Sequence, residues 1–387
     1  MAQHRTPLPD ELKELISLIR QGRLFEVQQW IREGKAICLP AEGRFAISPA
    51  MAAVRVGFHS MVKVLLDAVA HKEDLDDLLA EAVLLKRLDL CLLLHDYGAN
   101  PRAISYDSVA STHNPLILRW FENHGIDLET DHALATALRW RIRAALGTYM
   151  RMKGDMPQLK QQIDMALRFH ATKGDMKWVS LLLWAGADPR AEVPSLDPGV
   201  MEEELGTALK DSIAYGKVEV VRKFKIDPRR DDIGVLLEKS GLSSQPEIVD
   251  LLLAAGGASK DHSQVIKRYI RSLGWTLEGG WFGRDPKIIV DCLCLLASKG
   301  IKWKPAESCD YRYLRKGLAR AQASQAIEVL TRLVRAGLFT EAVFKELVST
   351  PRMRELLSPG HYGASTLREF AGFEESRPRR RRRQRVA

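Results

Sequence analysis

The stretch DMALRFHATKGDMKWVSLLLWAGADPR, residues 164–190, decides the predicted fold. Good helix formers lead up to Gly174, and a glycine in the left-handed conformation ends a helix without a Cβ clash. Asp175 follows as a cap for the next helix, in which apolar residues recur at helical spacing as far as Gly186. An Asp-Pro pair then makes a turn that a helix cannot continue through. The stretch therefore predicts two short antiparallel helices, which need neighbours to bury their apolar faces.

Weaker copies of this unit recur on both sides of it. Nine equal intervals between the helix-ending Gly34 and Gly337 give a period of about 34 residues, which is typical of repeats built from helix pairs. The first helix is predicted at Asp10–Arg20, whereas 132–160 is helical in pattern but lacks a clean turn. The sequence therefore predicts an all-α, helix-pair solenoid of about nine degenerate repeats over residues 10–357.

The unit at 164–190 resembles the ankyrin repeat. Its inter-helix glycine, its second-helix apolar run and its Gly-Ala-Asp turn stand where that family has them, at Gly174 and Asp175, Trp178 and Val179, 181–183, and 185–189. Ser48 and Pro49 take the place of the family's Thr-Pro, but Ala50 and Met51 replace the Leu-His that follows it there. The resemblance covers about residues 20–340 and is strong in only three or four copies.

An ankyrin-like fold implies a protein–protein interaction module that uses its turn tips and first helices. On that basis Arg168 and His170, in the first helix of the best repeat, are predicted to be exposed partner contacts. His170 has a second interpretation, as a structural residue that bonds a neighbouring loop.

Composition indicates a soluble chain. Of its 387 residues, 46% are hydrophobic and 28% charged, as in ordinary globular proteins. No apolar run approaches the roughly 20 residues of a membrane span, and the N-terminus lacks the apolar core of a secretory signal. Five cysteines fit a reducing compartment. The expected location is the cytoplasm, or the nucleus if the source is a eukaryote.

The two ends of the chain are predicted to lie outside the solenoid. Residues 1–9 are expected to be flexible, 338–357 to form one closing helix, and 358–387 to be disordered. The last segment is Arg-rich at 377–385, with seven arginines: Arg377, Arg379, Arg380, Arg381, Arg382, Arg383 and Arg385. Such a tail attracts polyanions through counterion release. It also resembles a basic nuclear-import signal, and a solvated tail without a binding role remains the third interpretation.

Residues 260–320 interleave basic and aromatic side chains and hold 13 Lys and Arg against 6 Asp and Glu. Arginine and aromatic side chains on one surface can grip phosphates and stack on bases, and they are also enriched at protein–protein hot spots. The candidate polyanion-binding residues here are Lys267, Arg268, Arg271, Arg312, Arg315 and Lys316. In the alternative interpretation the aromatic residues pack between repeats while the basic groups face water.

A longer connection is predicted after Gly274, as an insertion over about 274–286. Loops that exceed the repeat plan often carry binding residues. Trp275, Trp281 and Arg284 are therefore candidate partner contacts. A second basic cluster, Arg139-Trp140-Arg141-Ile142-Arg143, is interpreted as a solvated face of one helix.

Catalytic and cofactor motifs are missing from the sequence. It contains neither a phosphate-binding loop nor the His-Glu-x-x-His or Gly-x-Ser-x-Gly motif. Cys292, Cys294 and Cys309 lack a Cys-x-x-Cys pair and a fourth zinc ligand, which favours ordinary buried side chains. We therefore expect a non-enzymatic adaptor, scaffold or regulator without a cofactor, which binds another protein on a concave solenoid surface. The alternative is a nucleic-acid or polyanion binder that uses 260–320 and the tail.

Overall fold

The computed structural model describes residues 10–38, 47–68, 75–197, 205–256, 263–279, 285–301, 303, 312–358 and 364–371. Within these ranges the chain forms 23 α-helices and no strand, which confirms the predicted all-α class. A single antiparallel bridge joins Val193 and Gly206.

The chain divides into two compact units. Unit 1 takes Met1–Ala166, Leu181–Ala187 and Ser195–Glu202, and unit 2 takes Leu167–Ser180, Asp188–Pro194 and Glu203–Ala387. The helices of unit 1 are α1 (Asp10–Arg20), α2 (Leu24–Arg32), α3 (Pro49–Val56), α4 (His59–Ala68), α5 (Leu75–Leu84), α6 (Leu88–Asp96), α7 (Tyr106–Ser111), α8 (Pro115–Asn123), α9 (Ala133–Arg139) and α10 (Arg143–Met152).

The division passes through two helices, α11 (Leu159–Lys173) and α12 (Met176–Ala185). The remaining helices belong to unit 2 and are α13 (Ala208–Ala214), α14 (Val218–Phe224), α15 (Ile233–Ser243), α16 (Pro246–Ala254), α17 (Ser263–Leu277), α18 (Pro286–Ser298), α19 (Arg312–Arg320), α20 (Ala323–Arg335), α21 (Glu341–Leu347), α22 (Pro351–Leu356) and α23 (Ser365–Phe370). Two short 3-10 helices lie in unit 1, at Pro101–Ala103 and Thr130–His132.

Consecutive helices pair, and the pairs of unit 1 stack on one another. The first helices pack in the order α1, α3, α5, α7 and α9, and the second helices α2, α4 and α6 also pack in series. The stacking follows from the apolar faces: Leu12, Leu15 and Ile19 of α1 are fully buried, each contributing about 2 kcal/mol. Because the first helices pack side by side in chain order, we infer that the turns after them lie along one edge of the unit. The hydrogen bond from Arg87 to the Gly57 carbonyl joins two of these turns directly.

Each of these turns contains a residue in the left-handed conformation. Gly22 and Gly57 have positive φ, as do Lys86, His113 and Arg141. Arg141 explains why 132–160 lacks a clean turn signal, since the turn is made there without glycine. It also separates α9 from α10, so Arg139 and Arg143 do not lie on one helix. The predicted single helix face at 139–143 is therefore wrong.

Gly274 was expected to end a helix, but it lies inside α17. A Cβ on Gly274 would stand 2.4 Å from the backbone oxygen of Tyr313, and one on Gly317 would stand 2.4 Å from the oxygen of Gly274. These two glycines let α17 and α19 pack with their backbones in contact. The prediction that the connection begins at Gly274 is therefore wrong, because the helix continues to Leu277.

The C-terminal part differs from the prediction in two ways. Residues 338–357 form two helices, α21 and α22, rather than one. Within 358–387, predicted to be disordered, α23 buries Ala364 and Leu367 and places Phe370 against Phe344. That prediction is wrong for 364–371. The predicted flexible segment 1–9 and the Arg-rich tail lie outside the described residues.

Candidate interaction surfaces

Arg168 and His170, predicted to be exposed contacts, are both buried. Arg168 is 6% exposed and His170 only 1%. The prediction fails because both side chains of α11 turn inward on unit 2, where each has a structural role.

Arg168 fastens the two ends of a long connection. Its Nε donates to Asp211 Oδ2 at 2.6 Å, and its Nη1 donates to the Val193 carbonyl at 2.6 Å. A Cβ on Gly206 would stand 2.5 Å from Nη2, so the guanidinium rests on that glycine. The backbones of Val193 and Gly206 exchange hydrogen bonds of 3.0 and 3.1 Å beside it. Arg168 is thus a structural clamp for the connection.

His170 lies between α11 and α12. Its ring stacks on Trp178, with centroids 5.3 Å apart and planes 13° apart, and its Nδ1 lies 3.6 Å from Asp175 Oδ2 in the turn between the helices. This geometry fits a residue that holds a helix pair together, and it leaves no surface for a partner.

The basic candidates at 260–320 lie on α17 and α19, which hold seven Lys and Arg and no Asp or Glu. The Arg271 guanidinium lies 5.2 Å from the centre of the Tyr313 ring, and Trp275 meets the same ring edge-on at 5.7 Å. Lys316 and Arg312 are exposed on α19, within one turn of Tyr313. We call Arg271, Trp275, Arg312, Tyr313 and Lys316 the basic surface.

Three further candidates flank the basic surface. Arg268 is half-buried against α15, where a Cβ on Gly241 would stand 2.7 Å from its Cγ. Arg315 is half-buried and donates to the Glu346 carbonyl at 3.0 Å. Lys267 is half-buried as well. Tyr269, one of the interleaved aromatics, is a core residue that bonds Ser240. Tyr269 therefore packs in the core, as the alternative interpretation predicts for the aromatic residues, whereas Trp275 is half exposed.

The remaining sequence candidates lie outside the described residues. These are Trp281, Arg284, the seven tail arginines and Cys309. Cys292 is fully buried on α18, and burial raises the pKa of its thiol to about 12, as expected of an unreactive core cysteine. Among the described residues, no three His, Cys, Asp or Glu side chains are placed to share a metal ion.

A cavity of about 260 Å³ in unit 2 lies between α13 and α15. Two ion pairs line it. Arg190 donates to both oxygens of Asp231 at 2.7 Å, and Lys210 lies 3.1 Å from Glu192. These pairs join the segment that contains Arg190 and Glu192 to α13 and to the residues just before α15. We assign the cavity no ligand.

A row of exposed apolar residues in unit 1 was not predicted from the sequence. We call the five turns 20–25, 55–59, 84–88, 111–116 and 139–143 the turn edge. Every turn carries a large apolar side chain in solvent, namely Phe25, Val56, Leu84 with Leu85, Leu116 and Trp140. Trp140 is 66% exposed. In the sequence these side chains appear only as apolar residues near the predicted ends of helices, where they cannot be distinguished from core residues.

The turn edge is also basic. Its five segments contain eight Lys and Arg and no Asp or Glu. Arg55 donates to Glu81 at 3.0 Å. Arg87 donates to both oxygens of Asp89, at 2.8 and 2.6 Å, and to the Gly57 carbonyl at 2.7 Å, which links two neighbouring turns. The cations are therefore partly fixed in place, and the apolar groups stand between them.

Comparison of the chain with protein-family models and with curated proteins gave no match. No helix in the described part of the chain is both long enough and apolar enough to cross a membrane. The ankyrin resemblance therefore depends on the residues quoted from the sequence.

Proposed function

We propose that this chain is a non-enzymatic interaction protein, an adaptor or regulator, and that the turn edge docks a partner protein. The observation that carries the proposal is the apolar side chain exposed at each of five successive turns. A single exposed apolar residue is ordinary, whereas large exposed apolar side chains repeated at successive turns favour a protein interaction site.

The ankyrin-like assignment belongs to this proposal. Paired helices, stacked first helices and left-handed residues in the turns support a helix-pair solenoid of that type. Stacked pairs form a preorganised surface, so a partner binds with little ordering cost on this side. The proposed contacts are the turn tips, whereas Arg168 and His170 are no longer among them.

The test is site-specific photo-crosslinking in the native cell with the full chain. A benzophenone amino acid replaces Leu116 on the turn edge, and in the matched control it replaces Leu92, an exposed leucine on α6 away from the turns. We expect one protein adduct from position 116 that survives nuclease and is missing from position 92. The same adducts from both positions, or none from 116, would refute the proposal.

A second function, polyanion binding, is favoured by the basic surface. Arg271 and Trp275 both contact the Tyr313 ring, and α17 and α19 carry no carboxylate of their own. A cationic surface with an exposed aromatic can track a phosphate backbone and stack on bases. We propose it as a binding site for single-stranded nucleic acid, assisted by the Arg-rich tail.

Anisotropy of a labelled single-stranded oligonucleotide tests this second function. The full chain and a 1–375 truncation are titrated at several salt concentrations. We expect the affinity to fall steeply with salt in both, because each neutralised phosphate releases counterions. Binding that vanishes with the tail alone would exclude the basic surface as the site.

A further inference from the structure

We infer that the turn edge receives an acidic, amphipathic α-helix of the partner. The inference rests on the proposed function and names the chemistry of the segment that the edge would bind.

The composition of the edge calls for an apolar face on the partner. Leu84, Leu116 and Trp140 are each more than 60% exposed, and Phe25 is 80% exposed. Phosphates or a uniformly polar peptide would leave these side chains in water, or bury them without an apolar counterpart. The partner segment must therefore present apolar side chains at several points.

The charge of the edge calls for carboxylates beside that apolar face. The turns contain eight basic residues and no acidic ones, and the carboxylates that reach them include Glu26, Glu81 and Asp89. Arg139 lies over the Trp140 ring at 5.3 Å, so a cation borders the largest apolar group. A partner with acidic flanks gains electrostatic complementarity, and a basic one is repelled.

The spacing of the edge calls for a helix. Packed helices lie about 8–10 Å apart, so each turn follows the previous one after about that distance. An α-helix advances about 10.5 Å in seven residues. The length of one heptad of the partner helix therefore matches the distance between successive helix pairs of unit 1. On an extended strand the side chains of one face recur about every 6.6 Å or 13 Å, and neither distance matches the spacing of the turns.

The probe is a labelled peptide of about 28 residues, four heptads long, with leucine at the first and fourth positions and glutamate on the flanks. Two control peptides carry lysine in place of glutamate, or a central proline that breaks the helix. Each is titrated with the full chain and with the variants Trp140→Asp, Leu116→Asp and Trp184→Asp. Trp184 is the matched control, because it is 70% exposed in unit 1 but lies on α12.

We expect saturable binding of the acidic peptide at or below about 0.1 mM, and at least about tenfold weaker binding of both control peptides. Trp140→Asp and Leu116→Asp should each weaken binding by about tenfold or more, and Trp184→Asp by less than about twofold. Circular dichroism of each variant checks that the chain is folded.

Equal binding of the lysine or proline peptide, equal loss in Trp184→Asp, or displacement of the peptide by an oligonucleotide would overturn the inference. So would the lack of saturable binding. The photo-crosslinking result separates this failure from that of the proposed function. If position 116 gives an adduct but the peptide does not bind, the turn edge still docks a protein, and only the proposal of an acidic helix is refuted.

Discussion

The turn edge of unit 1 and the basic surface of unit 2 use arginine in different ways. On the turn edge Arg55 and Arg87 are paired with carboxylates, and large apolar side chains stand exposed in the same turns. On the basic surface Arg271 lies against an aromatic ring and its helix carries no acid. Paired arginines fix a surface for apolar contacts, whereas a surplus of cations over carboxylates projects a positive field. The two surfaces are therefore suited to different classes of partner.

The largest expected effect comes from Gly317→Ala, which should disrupt the basic surface alone. The new Cβ would stand 2.4 Å from the Gly274 oxygen and force α17 and α19 apart. We expect a loss of about 3 kcal/mol in the stability of this region. Amide hydrogen exchange measured by mass spectrometry should rise in α17 and α19 and stay unchanged in α3 and α5.

Gly154→Ala is the control for that experiment, since Gly154 has ordinary φ and open space around its Cβ position. It should change stability by less than about 0.5 kcal/mol. Unchanged exchange in Gly317→Ala would show that the two backbones do not meet at these glycines.

The double variant Arg271→Glu and Lys316→Glu should reduce oligonucleotide affinity about tenfold or more at low salt. The slope of the logarithm of the association constant against the logarithm of the salt concentration should become shallower by about 1.4, because two phosphate contacts on a single strand are lost. The control Lys177→Glu with Lys299→Glu changes the net charge equally at exposed positions elsewhere in unit 2. If both double variants lose affinity equally, net charge rather than the basic surface governs binding.

Arg87→Met should destabilise the turn edge by about 1 kcal/mol, since Arg87 bonds the Gly57 carbonyl and Asp89 at a partly exposed site. Its hydrogen bond is the main reason why the pKa of Asp89 is lowered from 3.8. That stability is present above about pH 4 and is lost as the pH falls through the folded pKa.

NMR titration should show the Asp89 pKa rising in Arg87→Met, and the variant should show less acid destabilisation in this pH range than the native chain. Lys86→Met, which removes a neighbouring cation in the same turn, is the control and should leave the pKa of Asp89 at its native value. A shift of equal size in both variants would mean that the overall charge of the region, and not the hydrogen bond from Arg87, sets the pKa of Asp89.

The smallest expected effect is a gain in stability. His113 has a φ of 55°, a conformation that costs a residue with a Cβ about 1 kcal/mol or more. Because glycine also gains freedom in the unfolded chain, His113→Gly should stabilise by only about 0.5 kcal/mol in urea unfolding. The reciprocal change Gly22→Ala, where φ is 72° and no atom crowds the Cβ, should destabilise by about 1 kcal/mol. Changes of the same sign would contradict this explanation.

The sequence predicts the helices well where local chemistry decides them. Asp10–Arg20 forms α1 as expected, and Gly174 and Gly216 take the left-handed conformation of a helix end. Turns made by Lys86 and Arg141 give no such signal, because tertiary packing holds these residues in a conformation that their side chains disfavour. Gly274 shows the opposite problem, since glycine serves both to end helices and to let two backbones touch.

The candidate sites were harder to predict, because exposure depends on neighbours that are distant in sequence. Arg168 follows a helical pattern in which it would face solvent, but Asp211 and Val193 surround it. Leu84 and Trp140 follow the apolar pattern of a core, yet Leu84 is the last residue of α5, Trp140 follows the end of α9, and both are exposed. Arg271 and Lys316 could be selected by charge alone, and the contact of Arg271 with Tyr313 required the structure.

The backbone pairing of Val193 with Gly206 makes the chain between them a suitable site for inserted sequence. Arg168 and the paired backbones hold Val193 and Gly206 together, so an insertion between them would start and end at anchored positions. Each doubling of such a loop costs only about 0.6 kcal/mol. A short epitope inserted between Val193 and Gly206 should therefore leave the hydrogen bonds of Arg168 in place.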